Sequence, residues 1–520
     1  MWKRVGIRGN RCGGWRSGWP TSGLALWVLG MVLLVPGMVL LAPARPCQAQ
    51  IPLKAYYNDD FFLETEDGSF QLRIRGNLHL DTRLYQSEKR GSVQNIDIRR
   101  VRIDLQGRIH QRFTFRIQPE LSGNAHIRNA WVDWQIDPAL HLRWGQMKAP
   151  FSSSWLTLDN NVNFVERGAA TPIYPYFDRG AVVWGELLKG TVTYDLGVFT
   201  GVGTDQDVTS GDIDDHKDLA ARLFLQPFRN SPNSDLKGLF LVAGGTWGRM
   251  SVATPRFETE GYRSANFGAA VWRWRTDQTL GTDGRVTDRV AAEIDSRRRL
   301  GAEVHYLRGP LVFSSELLEV RYDDVALFHD FSVGSTRTAH LPLLKVGGGV
   351  RSWSTWASYY LTGEAKRLED GGWRTARPED FFGEGGRGAW ELLARYSRTW
   401  SDEALFESVK VSGFSKGSQD LPATYSGPAP GEGNALTAAV LDGAHEVHEF
   451  SVGVNWTLNP MVRFQLNDVF LWAPSADRDG DGVNDNMLIS GAFTAQSDPA
   501  RRYRKTKWEN AVMFRIIFKL

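Results

Sequence analysis

The sequence predicts an all-β fold, a transmembrane antiparallel up-and-down β-barrel of about sixteen strands. Apolar and polar residues alternate with a period of two through segment after segment. Past the first 49 residues no run of about 18 apolar residues could cross a bilayer as a helix. The chain nevertheless carries 20 Trp, 14 Tyr and 27 Phe. A closed barrel is the other way to span a bilayer, because it satisfies every backbone hydrogen bond internally.

The N-terminus reads as a secretory signal over 1–49. Lys3, Arg4, Arg8, Arg11 and Arg16 form a positive region, an apolar stretch runs from Leu24 to Leu41, and Cys47-Gln48-Ala49 offers small residues for cleavage. Cleavage there leaves 471 residues without cysteine, since Cys12 and Cys47 lie in the leader. Disulfides and thiolate metal sites are thereby excluded. The leader holds six Lys/Arg and no acid, so the mature balance becomes 55 against 59. Such a chain gives no reason to expect nucleic acid as a partner. Residues 50–68 read as a periplasmic N-terminal segment and 69–520 as the barrel.

Leu72, Ile74, Leu78 and Leu80 share a face opposite Arg73, Arg75, Asn77, His79 and Asp81. Phe113, Phe115 and Ile117 alternate with Arg112, Thr114 and Arg116, and Phe450, Val452, Val454 and Trp456 with Ser451, Gly453 and Asn455. One face suits lipid and the other water. The same reading places strands at 69–85, 95–107, 110–120, 127–136, 139–147, 180–187, 191–199 and 218–227. It continues at 237–248, 299–308, 310–322, 348–362, 388–399, 447–458, 461–473 and 508–520. An even number puts both ends on one side, and the connections sort by length as a bacterial barrel requires. Asp137-Pro138, Lys189-Gly190, Gly309-Pro310 and Asn459-Pro460 make short periplasmic turns, whereas 148–179, 249–298, 400–446 and 474–507 make long outer loops. The link 363–387 breaks this rule by being long on the periplasmic side.

The second strand slips phase. Ile96 and Ile98 are apolar at even positions, but Val101, Ile103 and Leu105 at odd ones. A one-residue bulge between them would turn Arg99 and Arg100 into the lumen together. Alternation also turns inward Arg73, Arg75, Arg102, Arg112, Arg116, Arg143, Arg222, Arg463 and Arg515, eleven cations in all, against seven acids, namely Asp81, Asp97, Asp104, Glu120, Asp133, Asp195 and Glu509. Positive charge between low-dielectric walls concentrates anions, and guanidinium binds oxyanions through paired hydrogen bonds without titrating.

The chain resembles the phosphate-selective porin O and P family along most of its mature length. Gly68-Ser69-Phe70, Ile98-Arg99-Arg100 with Asp104-Leu105-Gln106-Gly107, Asp137-Pro138 with Leu142-Arg143-Trp144-Gly145, and Phe151 with Glu166-Arg167 are similar to its N-terminal half. Ser358 to Glu364, Gly388 to Leu392 and Gly453 to Trp456 are similar to its C-terminal half. The resemblance implies a homotrimer of sixteen-strand channels in the outer membrane of a Gram-negative-type bacterium, with lipid around each barrel. It implies an inward-folded loop carrying Phe151, Trp155, Glu166 and Arg167, and a constriction passing small anions, with Arg99 and Arg100 matching the pair that lines the anion site. Arg73, Arg75 and Arg102 join that expected site. The family's loop lysine, four residues after the phenylalanine matching Phe151, is replaced by Trp155, and Arg73 stands where a first-strand lysine is found. That departure bears on phosphate specificity while leaving an anion preference.

Asp477, Asp479, Asp481 and Asp485 have the alternate oxygen ligands and glycines of a calcium loop without the closing glutamate, so a solvated turn is the competing reading. No other cofactor is expected. A weakly selective porin and a non-conducting adhesin or anchor are the alternatives. A hydrolase would need a Ser/His constellation, and although Ser152, Ser153 and Ser154 sit in the inward loop, no histidine has a spacing that recommends it.

Overall fold

The computed structural model describes residues 51–519 apart from 59, 89, 124, 202–215, 250–271, 275–277, 281–285, 334–336, 370, 407, 412–435, 440, 478–479, 481 and 490–504. Among them sixteen strands close an antiparallel barrel. They are β1 (Phe70–Ser87), β2 (Arg90–Ile109), β3 (Phe113–Glu120), β4 (His126–Asp137), β5 (Leu140–Lys148), β6 (Phe177–Leu187), β7 (Val192–Phe199) and β8 (Asp218–Leu225). The second half comprises β9 (Leu239–Arg249), β10 (Val286–Arg308), β11 (Leu311–Val333), β12 (Arg337–Tyr360), β13 (Ala389–Ser401), β14 (Glu446–Thr457), β15 (Val462–Trp472) and β16 (Trp508–Lys519). Each pairs with its neighbour, and β16 returns to β1 with Arg515 opposite Asp81.

The faces are inverted relative to a soluble protein. On β14 and β15, Glu449, Ser451, Asn455, Gln465 and Asn467 are wholly buried, while Phe450, Val452, Leu466 and Phe470 are 40–49% exposed. Only a hydrocarbon surround makes that pattern favourable. Outward aromatics gather at both rims. Trp390 stacks on Trp456 at the end carrying the short turns, and Phe470 on Trp508 at the other, as interfacial belts do.

All sixteen expected strands are present. His110 and Gln111 take positive φ of 47° and 60°, matching a tight hairpin turn, so β3 begins at Phe113, and Arg112, expected in the lumen, lies exposed in that turn. β10, β11 and β12 are far longer than expected, at 23, 23 and 24 residues. Beyond the bilayer no face need meet lipid, so their upper parts lose the alternation that revealed the rest. The segment before β1 is a hairpin, Leu53–Tyr57 with Phe61–Thr65, whose second strand pairs with the start of β1.

The expected bulge is present in β2. His79 of β1 lies opposite Arg100 but Leu80 opposite Ile98, leaving Arg99 as the extra residue. Ile96 and Ile98 above it and Ile103 below it all point outward, 83%, 57% and 43% exposed. The Glu120 carboxylate accepts the displaced Val101 amide at 3.0 Å, so that donor keeps a partner despite the bulge.

Two connections occupy the lumen. The outer loop 149–176 crosses it, with Phe151 against the bare backbones of Gly244 and Gly301 on the far wall, the Ser153 amide donating to Glu303 at 2.8 Å and the Tyr174 hydroxyl to Glu316 at 2.7 Å. The long periplasmic link carries a small hairpin, Arg367–Glu369 with Gly372–Arg374, and rises to meet that loop. The Trp373 amide donates to Thr157 Oγ1 at 2.9 Å. Leu368 and Trp373 pack with Phe224, Phe240, Val242, Val312, Trp356 and Leu393, which line the β8–β13 side of the lumen. On that side the lumen is filled by an apolar cluster set among buried charged residues such as Arg222, Arg299, Glu303 and Glu391.

Candidate functional site

Where the outer loop meets β1, β2 and β16, two of its carboxylates are each clasped by three guanidinium groups. Asp159, in a short 3-10 turn (Asp159–Asn161), pairs with Arg167 at 3.0 Å, Arg100 at 3.4 Å and Arg102. Glu166 pairs with Arg83 at 2.5 Å, Arg99 at 3.4 Å and Arg515 at 3.5 Å. The bulge is what divides the pair: Arg99 reaches one carboxylate and its neighbour Arg100 the other. Arg102 is further held by Glu120 at 2.5 Å, and Arg515 by Asp81 at 2.6 Å.

The loop is fixed so that these carboxylates meet the arginines. Ser152 caps the helical turn Ser153–Leu156, and Arg515 Nη1 donates to the Val165 carbonyl at 2.6 Å. Asn467 accepts the Val165 amide at 2.6 Å and Glu449 the Ala169 amide at 2.9 Å. Burial by itself would raise both carboxyl groups. Arg100, Arg102, Arg167 and Lys148 nonetheless hold Asp159 well below the usual carboxylate range, and Arg99, Arg83 and Arg515 do the same for Glu166.

The expected site residues separate into three levels. Arg99, Arg100 and Arg102 converge as described. Arg75 lies nearer the periplasm, sharing Asp104 with Arg116 at 2.9 and 2.8 Å. Arg73 is six residues from His79 along β1, about 20 Å below the bulge, and pairs with Asp60 beside the N-terminal hairpin, so it stands apart from the cluster. Of the loop residues, Phe151 is the anchor on the far wall, and Trp155 is buried, stacked on Tyr174 at 5.9 Å. Glu166 and Arg167 face the arginines.

Sequence reasoning missed Asp159, Arg83 and Lys148. Arg83 continues the inward row His79, Asp81 and could have been found by extending it. Lys148 Nζ lies 4.7 Å from the Trp155 ring centroid and donates to the carbonyls of Trp155 and Thr157 at 2.6 and 3.0 Å, so a lysine stands beside the tryptophan that replaces the expected one. No spacing signalled it. The lumen also buries Arg299, Arg395 and Lys366 and, against them, Glu303, Glu316, Glu391, Glu449, Asp178 and Asp218. An excess of cations over acids is thus not a property of the whole pore but of the region around the bulge.

The family model for phosphate-selective porin O and P matches residues 72–479. The chain belongs to that family. It is an outer-membrane porin. Among solved structures, the anion-selective porin from Comamonas acidovorans is 10% identical, with 87% of this chain and 100% of that one covered at a TM-score of 0.44. In vitro folded OmpT of Vibrio cholerae is 10% identical over 87% and 98% at 0.43, and Salmonella typhi OmpF in complex with daunomycin 11% over 90% and 100% at 0.42. No curated protein matches the sequence.

Two further expectations met the porin's structure. Ser314 Oγ, His305 Nδ1 at 2.9 Å, and His305 Nε2 with Glu303 at 2.9 Å form a serine–histidine–glutamate chain, but all three are buried, and His305 lies edge-on to Trp373. The constellation is therefore closed off within the packed lumen. In the aspartate-rich loop, Asp477 accepts the amides of Gly480 and Gly482 at 2.8 and 3.0 Å, both glycines having positive φ, which is a turn-capping role. Asp479 and Asp481 fall outside the described residues, while Asp485 donates its amide to the Ala476 carbonyl at 2.8 Å.

Proposed function

We propose that this porin passes small anions, phosphate and related oxyanions among them, by facilitated diffusion along the arginine-bearing β1–β5 side of the lumen, and that it does so as a homotrimer after loss of residues 1–49. The observation that carries the reading is local charge. Six guanidinium groups, Arg83, Arg99, Arg100, Arg102, Arg167 and Arg515, are ion-paired with four carboxylates, Asp81, Glu120, Asp159 and Glu166, with Asp97 opposite Asp81 as the fifth acid of the region. The net positive charge attracts anions where the path is narrowed by the loop. Guanidinium geometry favours phosphate and carboxylate over halide. Lys148 beside Trp155 keeps a lysine side chain in the neighbourhood from which the expected loop lysine is missing.

Reversal potentials in chloride, phosphate and sulfate gradients across planar bilayers test this. The native protein should favour anions over potassium, and the Arg99→Ala/Arg100→Ala protein should lose most of that preference while still conducting. Unchanged selectivity in the variant would remove these residues from the site, and a native barrel that inserts without conducting would remove the function.

A further inference from the structure

The arginines at the bulge are not vacant. Each of the two guanidinium triads already holds an oxyanion, supplied by the protein itself: the carboxylates of Asp159 and Glu166, seven positions apart on one loop. Every arginine in the two triads comes from a wall strand except Arg167, so the ligands are loop-borne and the cradles are mostly fixed. The triads adjoin, because Arg99 and Arg100 are consecutive and point to different carboxylates.

Their charges also correspond. Around Asp159 stand Arg100, Arg102 and Arg167 against Asp159 and Glu120, and around Glu166 stand Arg83, Arg99 and Arg515 against Glu166 and Asp81. Counted over the directly ion-paired groups, each cradle is therefore one positive charge in excess with its loop carboxylate in place, and two in excess with that carboxylate turned aside. The second value matches a dianionic oxyanion.

We propose that Asp159 and Glu166 are tethered surrogates of the transported oxyanion, which an arriving phosphate displaces and which reclaim the arginines as it leaves. This rests on the anion-porin reading and gives it a mechanism for release. Three guanidinium groups around one phosphate would hold it long enough to block the channel, and conduction requires sites that are weak enough to leave. A tethered carboxylate competes at a high effective concentration, weakening each site without removing its selectivity. Because the triads adjoin, the carboxylate restored to one helps pass the anion to the other.

The test uses the full-length porin in planar bilayers with phosphate added to chloride. Asp159→Asn and Glu166→Gln keep the size and a hydrogen-bond acceptor but remove the charge. In either variant the phosphate concentration that halves chloride current should fall about tenfold, while Asp159→Glu should remain near the native value. Half-block unchanged or weakened in both variants, with the native protein anion-selective, would overturn the surrogate role. A native protein that is not anion-selective would instead overturn the reading beneath it. A second measurement needs no variant: carbodiimide-driven amidation of Asp159 and Glu166, read by mass spectrometry, should rise severalfold in the native protein when phosphate replaces chloride. No rise would count against displacement.

Discussion

Replacing Trp373 by alanine should loosen the periplasmic link from the lumen and leave the wall intact. The indole is 2% exposed and meets Trp356 at 4.9 Å and His305 at 5.1 Å, both edge to face. Truncating a buried tryptophan costs about 3–5 kcal/mol, to which each edge-on pair contributes about 0.5–1.5. None of the ladder hydrogen bonds of β1 to β16 involves this residue, so the loss falls on docking of the link and not on closure of the barrel. Ties that survive include the ion pair of Lys366 with Glu391, the Arg222 bond to the Gly371 carbonyl at 3.3 Å, the backbone amide of residue 373 to Thr157 at 2.9 Å, and Thr375 with Asn161 at 3.2 Å and with Arg463 at 3.1 Å. At about 1.4 kcal/mol per factor of ten, the undocked population should rise by about two to four orders of magnitude. Single-channel records should then show frequent excursions to a higher conductance, and protease applied from the periplasmic face should cut within 361–388 faster. Retained heat-modifiable mobility on gels would show that the barrel is folded. Native conductance, noise and cleavage rate in that folded variant would refute the view that the link is a lumenal plug docked through Trp373.

Two further outcomes are expected. Asp159 and Glu166 are held below the ordinary carboxylate range, so their contribution to loop docking is complete above about pH 4 and is lost only as pH falls through their lowered values; anion selectivity should be flat from about pH 8 to about pH 5, and a midpoint near the ordinary carboxylate pKa would show that the triads do not form. Deleting Arg99 should be tolerated, because without it Ile96, Ile98, Val101 and Ile103 return to one phase and β2 pairs without a bulge; the product should assemble yet lose anion preference, and failure to give a heat-modifiable barrel would contradict this register of β2 on β1.

The wall of this porin was legible because lipid on one side and water on the other impose a period of two on every strand, and a single break in that period located the Arg99 bulge. The contents of the lumen were less so. Leu239-Phe240-Leu241-Val242-Ala243 is apolar without alternation, which is the mark of a strand buried on both faces; as sequence it reads only as a wall strand, and nothing in it names the segment that packs inside. Leu368 and Trp373 fill that role from more than a hundred residues away in sequence. The carboxylate partners of the arginines were hidden for the same reason. Spacing within a strand fixes which way Arg100 points, whereas its meeting with Asp159 depends on how a loop with no period of its own crosses the barrel.

That crossing ties selectivity to packing on the opposite wall. Gly244 and Gly301 leave room for Phe151 to lie against the backbone of β9 and β10; a Cβ on Gly244 would stand 2.3 Å from the Phe151 carbonyl oxygen. From that anchor the loop runs to Thr157, where Gly372 and Trp373 of the periplasmic link meet it, and then to Asp159, two residues further on, at Arg100 and Arg102. The far wall, the plug and the arginine triads are therefore consecutive along a few residues of one chain. An alteration in apolar packing at Phe151 or Trp373 moves a carboxylate among guanidinium groups, where distances of 2.5–3.5 Å govern both charge balance and affinity. The apolar cluster of the far wall and the periplasmic link is what places the charge.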